Sequence, residues 1–318
     1  SNKLGGEIPP SIGLLNELIE MDLHKNNLSG KFSLNMSNFK SLVFINLGEN
    51  NFSGVVPTKM PESMQVMILR SNQLIGNIPP QVCSLPSSIQ LDLSQNKLSG
   101  SIPPCVYNIT PMDGAKKMSH YRFRLDLFWK GRELEYQDTG LLRNLDLSTN
   151  NLSGEIPPEL FGLSQLQFLN LSRNHFIGKI PRKIGGMKNL ESLDLSNNHL
   201  SGEIPTTISN LSFLSYFNLS YNDFSGQIPL GTQLQSFDAW SYAGNPKLCG
   251  LPLANNCSKE ENHDKTGQCR GNESLYLGMG VGFAVGLWGV WVSLFLNRAW
   301  RQIFPSPGSY YIVALCVY

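Results

Sequence analysis

An asparagine returns at nearly even spacing along this chain of 318 residues, and that recurrence limits the fold more than any other feature. Asn26, Asn50, Asn72, Asn96, Asn150, Asn174, Asn198 and Asn222 are separated by 24, 22, 24, 54, 24, 24 and 24 residues. In the clearest copy, Leu166, Leu169 and Leu171 fall eight, five and three positions before Asn174, and Phe176, Gly178, Ile180 and Pro181 follow it. Leu169 and Leu171 flank a polar residue, so one face of a short strand points inward. The Asn amides are expected to turn inward and bond neighbouring backbone. Gly178, Gly202 and Gly226 permit a tight bend without a Cβ. Pro181, Pro205 and Pro229 fix φ where no ladder N–H is needed. One such unit cannot bury its own apolar face, so units must stack, each rising by roughly 4.8 Å. Eight of them predict an arc on the order of 40 Å long.

The period and its L-x-x-L-x-L-x-x-N…L-x-G-x-I-P pattern resemble the leucine-rich repeat of plant extracellular proteins. The resemblance implies an α/β-type leucine-rich-repeat solenoid, with short parallel strands on a concave face and an irregular or 3-10 convex side. Repeats are expected over residues 1–105 and again, four of them, over 142–229. Such a solenoid supplies a binding surface. Hydrophobic residues make up 41% of the chain, enough for a sizeable core, and a net charge of +1 gives no reason to expect nucleic acid. The five His residues are scattered, and the metal-binding, C-x-x-C and phosphate-loop patterns are missing from the sequence. We expect no catalytic residues, no metal and no cofactor.

Residues 275–296, LYLGMGVGFAVGLWGVWVSLFL, carry no charge. About 20 apolar residues span a bilayer core, so this run predicts one transmembrane helix. Arg298 and Arg301 follow it and mark the cytoplasmic side. The expected address is therefore the plasma membrane, single-pass type I, with the repeats extracellular, a juxtamembrane stretch at 259–274 and a short tail at 297–318. The chain starts mid-repeat at Ser1, which we read as a missing N-terminus and signal peptide. Gly278, Gly282 and Gly286 form a small-residue stripe that lets two helices approach closely in lipid; the alternative is the ordinary glycine content of membrane helices.

Cys83 and Cys105 lie in corresponding convex segments of adjacent turns, and Cys249 and Cys257 flank a short loop after the last repeat. Cys83–Cys105 and Cys249–Cys257 disulfides fit an oxidising compartment, with free buried thiols as the alternative. The second loop would help cap the open end of the solenoid at 230–258. Of ten N-x-S/T sequons, Asn27, Asn35, Asn51, Asn108, Asn151, Asn210, Asn256 and Asn272 are the glycosylation candidates. Asn170 and Asn218 are set aside, because they should point toward the concave face.

The gap of 54 residues holds one repeat plus an insertion at about 106–141. Within it Phe123, Leu125, Leu127 and Trp129 alternate with mostly polar residues, and Leu134 and Tyr136 continue the alternation beyond Lys130-Gly131, which predicts a hairpin. Tyr121, eight intervening residues and then Lys130-Gly131 resemble the island-domain motif of plant leucine-rich-repeat receptor-like proteins of the Cf, Eix and Ve group. Four repeats, a cap ending SFDAWSYAGNPKLCGLPLANNC and a glycine-rich span then follow in that family's order. The resemblance implies a kinase-lacking surface receptor for an extracellular protein or peptide, with a pathogen-derived source. It would pair with an adaptor receptor kinase through the transmembrane helix, and with a co-receptor kinase through the island and the last four repeats. Tyr121, Lys130 and Gly131 are the implied recruitment positions; a core tyrosine and a tight turn are the structural alternative. Other readings are a secreted inhibitor of wall-degrading enzymes and a receptor kinase cut short by a gene-model error.

Concave-face candidates after the insertion are Arg143, Gln167, Phe168, Arg173, Glu191, Tyr216 and Tyr221. Phe44, Glu49, Val66, Ile68 and Arg70 hold equivalent positions before it. Phe168 and Tyr216 are expected to be exposed.

Overall fold

The computed structural model describes residues 2–32, 36–85, 90–108, 125–129, 132–136 and 143–257. It divides into Ser1–Ser258 and Lys259–Tyr318; the second unit lies outside the described residues. Each L-x-L segment is extended and pairs in parallel with the next. The strands Glu20–Asp22, Phe44–Asn46, Val66–Ile68, Gln90–Asp92, Asn144–Asp146, Phe168–Asn170, Ser192–Asp194 and Tyr216–Asn218 form one eight-stranded sheet in chain order. The ladder crosses the insertion without a break, because Asp146 registers with Asp92.

The asparagines explain why the register holds. Asn174 Nδ2 donates to the carbonyls of Leu147, Leu171 and Ser172 at 3.0, 3.2 and 3.2 Å, and its Oδ1 accepts from the Leu152 N–H at 3.0 Å. One side chain thus ties two rungs together and satisfies backbone groups that would otherwise be buried unpaired. Asn150 makes the same bonds, reaching Leu93 O at 3.0 Å across the insertion. The residue before each asparagine is left-handed, with φ between 52° and 55° from Lys25 to Tyr221.

The segments after the asparagines form a second parallel sheet, of ten strands from Gly5–Gly6 to Lys247–Cys249. The L-x-G half of the repeat is therefore strand as well as bend. Gly178 has φ +87°, and a Cβ there would meet Glu155 Cγ at 3.0 Å. On the third side, Ile-Pro leads into 3-10 turns such as Arg182–Gly186 and Thr206–Asn210, with Pro181 and Pro205 at φ −75° and −62° before them. The shortened interval falls where no 3-10 turn lies between Asn51–Gly54 and Val66–Ile68. Leucines, Phe161, Phe176 and Phe224 fill the space between the faces, all buried.

After Asp223–Gln227 come the helix Thr232–Ser236, the 3-10 turn Ala239–Tyr242 and the strand Lys247–Cys249. Tyr242 is fully buried, packs at 5.7 Å from the Phe217 ring and donates its hydroxyl to Leu234 O at 2.6 Å. Sulfur–sulfur bonds join Cys83 to Cys105 and Cys249 to Cys257.

Within the insertion, Leu125–Trp129 and Arg132–Tyr136 pair antiparallel, Leu125 opposite Tyr136 and Trp129 opposite Arg132. Tyr121, Lys130 and Gly131 lie outside the described residues, as do 259–318 with Gly278, Gly282 and Gly286. Among the described residues no helix is long and apolar enough to cross a membrane.

Candidate functional site

The eight-stranded sheet carries a groove of about 960 Å³ that runs from Glu49 to Asn218 and is lined by polar side chains, with Tyr216 as its aromatic wall. Its floor is the last residue of each strand. Asp92, Asp146, Asn170, Asp194 and Asn218 occupy that column. A second hollow of about 260 Å³ is lined by Arg143, Gln165, Gln167, Asn189, Glu191 and Phe213.

The structure sorts the sequence candidates between these places. Arg173 and Tyr216 line the groove. Arg173 is held there by a left-handed backbone at φ 55°, a conformation uncommon outside glycine and asparagine. The half-buried Tyr216 donates its hydroxyl to Asp194 Oδ2 at 3.2 Å, and burial followed by the Asp194 charge pushes that phenol up to about 12. Arg143, Gln167 and Glu191 meet in the second hollow. The Arg143 N–H donates to Gln167 Oε1 at 3.2 Å, and Gln167 Nε2 donates to Glu191 Oε1 at 3.1 Å. Burial lowers the Arg143 guanidinium from its ordinary value. Tyr221 is exposed and lines neither hollow.

Phe168 corrects an expectation: it is 6% exposed rather than open to solvent. Phe44, Val66 and Ile68 are buried too. Alternation assigns a side chain to a face, but rungs about 4.8 Å apart let neighbours shield one another; Phe44 sits beside Val66, and Phe168 between Asn144 and Ser192. Phe213, 63% exposed, was missed because it precedes the strand pattern. Its signal was an apolar residue where the two preceding repeats place Gln165 and Asn189.

Of the sequon asparagines, Asn27, Asn51, Asn151, Asn210 and Asn256 are exposed. Asn170 Nδ2 instead donates to Asp146 Oδ2 at 3.1 Å, engaged within the sheet. The side chains of Asn35, Asn108 and Asn272 lie outside the described residues. Among the described residues, no group of three or more His, Cys, Asp or Glu side chains is placed to hold a metal ion.

Burial, then the Asp92 charge on the next rung, pushes the Asp146 carboxyl up to about 7. Burial also raises Asp92, opposed by Ser94 and Arg70. The folded chain therefore holds a proton more tightly than the unfolded chain. The associated stability is full below the ordinary value of 3.8 and is lost as pH rises through about 7. Thermal unfolding of the full chain across that window should show the decline, and Asp146→Asn should flatten most of it. A wild-type curve that climbs with pH relative to the variant would refute the assignment.

Comparison with known proteins fits the repeat geometry. The Leucine Rich Repeat family model matches residues 89–109, 141–163, 165–187 and 189–211. Over 270 residues the chain is 49% identical to receptor-like protein EIX2 of Solanum lycopersicum, covering 76% of this chain. The chain is a leucine-rich-repeat protein homologous to the plant receptor-like proteins. It spans 26% of the length of EIX2. Among solved structures, a plant ice-binding protein superposes with TM-score 0.65 at 28% identity, covering 81% of this chain and 73% of that one. The Arabidopsis receptor kinase HAESA, in complex with the peptide hormone IDA and the co-receptor SERK1, superposes with TM-score 0.61 at 30% identity. That match covers 81% of this chain and 42% of the other chain.

Proposed function

We propose that the receptor-like chain serves in a plasma-membrane receptor that perceives an extracellular ligand, of pathogen origin, and signals through partner receptor kinases. The observation that carries the reading is the groove over the strand face of the repeats on both sides of the insertion, in a chain 49% identical to EIX2. Its polar floor and aromatic wall suit recognition of an extended peptide or a protein loop, with backbone groups already satisfied by the asparagine ladder. Arg173 and Tyr216 supply the residue types that anchor interfaces. By analogy with the HAESA complex, a SERK1-type co-receptor kinase is the partner for these repeats and for the island at 106–141, with Tyr121, Lys130 and Gly131 as its contacts. An adaptor receptor kinase packs on Gly278, Gly282 and Gly286 of a span at 275–296.

Co-precipitation from plant membranes tests the two partners separately. Arg173→Ala with Tyr216→Ala should reduce recovery of the co-receptor kinase at least about tenfold, as loss of two interface anchors would. Gly282→Leu should release the adaptor kinase and spare the co-receptor. Unchanged recovery in the first variant would remove the groove from the account; unchanged adaptor in the second would remove the glycine stripe.

A further inference from the structure

The cap that closes the repeats is poor in charge and leaves large apolar side chains uncovered. Residues 230–257 carry two charged side chains, Asp238 and Lys247, so their net charge is zero. Apart from Leu14 near the start, the three most exposed large apolar side chains among the described residues lie in this stretch: Trp240 at 79%, Leu230 at 77% and Leu251 at 66%. Closure of the core does not need them. Phe237 and Tyr242 pack on Phe217, Leu248 is buried, and Leu253 packs against the core. Leu251 is instead turned out of a loop tied by the Cys249–Cys257 bond and by the Gly250 N–H, which donates to Asn255 O at 2.8 Å.

Trp240 and Leu251 both belong to the last layer of the solenoid. The Leu219 and Tyr221 N–H groups donate to Ser241 O and Ala243 O, each at 2.7 Å, and Lys247–Cys249 is the end strand of its sheet. Among the described residues no strand pairs beyond it. Sixteen residues, 259–274, then separate Ser258 from the uncharged run at 275–296. Sixteen residues reach at most about 55 Å when fully extended. Seven of them are charged, a composition unsuited to covering apolar side chains. The apolar phase within reach of the cap is therefore the bilayer that the run would enter. Tryptophan suits the boundary of that phase, because its ring is apolar and its indole N–H keeps a polar partner.

We propose that the cap rests on the outer face of the bilayer, with Trp240 and Leu251 seated among the lipid headgroups. This rests on reading 275–296 as a membrane span. The contact gives the repeats a second foothold beside their covalent tether. It holds the last repeats close to the membrane, where membrane-bound kinases meet them, and so raises the local concentration of the groove for those partners. Because the layer is neutral, the contact is with the boundary between water and acyl chains and not with a charged headgroup, and zwitterionic lipid suffices.

The test reconstitutes the full chain in phosphatidylcholine nanodiscs, with a photo-reactive phenylalanine at position 240, at position 251, or in place of the exposed Ser209 on a 3-10 turn. After illumination, lipid adducts counted by mass spectrometry should be at least about fivefold more frequent at 240 and 251 than at 209, since only a residue held at the boundary keeps lipid within reach. The same reporter in place of the exposed Ala239 should also take up lipid, and Trp240→Ser with Leu251→Ser should cut its adducts to the level at 209. Equal yields at 240, 251 and 209, or adducts at 239 that survive the serine pair, would overturn the proposal. Chain-to-chain adducts at 240 and 251 in place of lipid adducts would overturn it too, by assigning the layer to a second copy. A chain that does not stay with the discs would overturn the span and this contact together. A chain that stays, without lipid adducts at 240 and 251, overturns the contact alone and leaves the span standing.

Discussion

Asn174→Ala is expected to lower the stability of the folded chain by about 2–4 kcal/mol, because it strands several buried backbone groups at once. The asparagine is 5% exposed, and its amide closes bonds to Leu147, Leu171, Ser172 and Leu152. Alanine leaves three carbonyls and one N–H with fewer partners, and water cannot enter without opening the stack. Repeat arrays unfold by neighbouring units, so a single midpoint is not the best readout. Native-state hydrogen exchange is better. The Leu152 amide should lose most of its protection in Asn174→Ala, while the Phe224 amide, held by Asn245, should lose little. Equal losses at both, or none at Leu152, would show that the ladder does not act rung by rung.

Tyr242→Ala is expected to cost about 3–5 kcal/mol, in the range of large buried aromatic truncations. The ring is fully buried against Phe217 in the turn that closes the last repeat. Its loss opens the end of the core, which a stacked array cannot leave bare. Tyr242→Phe keeps the ring and removes only the bond to Leu234 O, so it should cost about 1 kcal/mol. Denaturant unfolding of the two variants separates packing from hydrogen bonding; similar losses in both would mean that the hydroxyl dominates.

Much of this was legible in the sequence. Spacing alone located the asparagine ladder, and the Leu-x-Leu pairs located the eight-stranded sheet. The second sheet was not legible, because short strands such as His199–Glu203 contain serine and glycine and show no alternation that distinguishes strand from bend. Asn245 was missed for a related reason. It repeats the asparagine geometry, donating to Leu219 O at 3.0 Å and accepting from the Phe224 N–H at 3.0 Å. However, it comes 23 residues after Asn222, and Leu248 follows it by three positions instead of two. The bonding persists while the surrounding pattern drifts, so the repeat continues into the cap. Candidate site residues were legible by face but not by exposure. Arg173 and Tyr216 reach the groove, whereas Phe168 is covered and Phe213, outside the strand pattern, is open.

The central claim is that the strand face of the last repeats receives the co-receptor kinase. A photo-reactive phenylalanine in place of Tyr216, compared with one in place of the exposed Ser209 in the opposite 3-10 turn, tests it in the full chain on plant membranes. The account predicts that illumination after ligand treatment links the co-receptor kinase to position 216 and not to position 209. Coupling from position 209 with none from position 216 would contradict it.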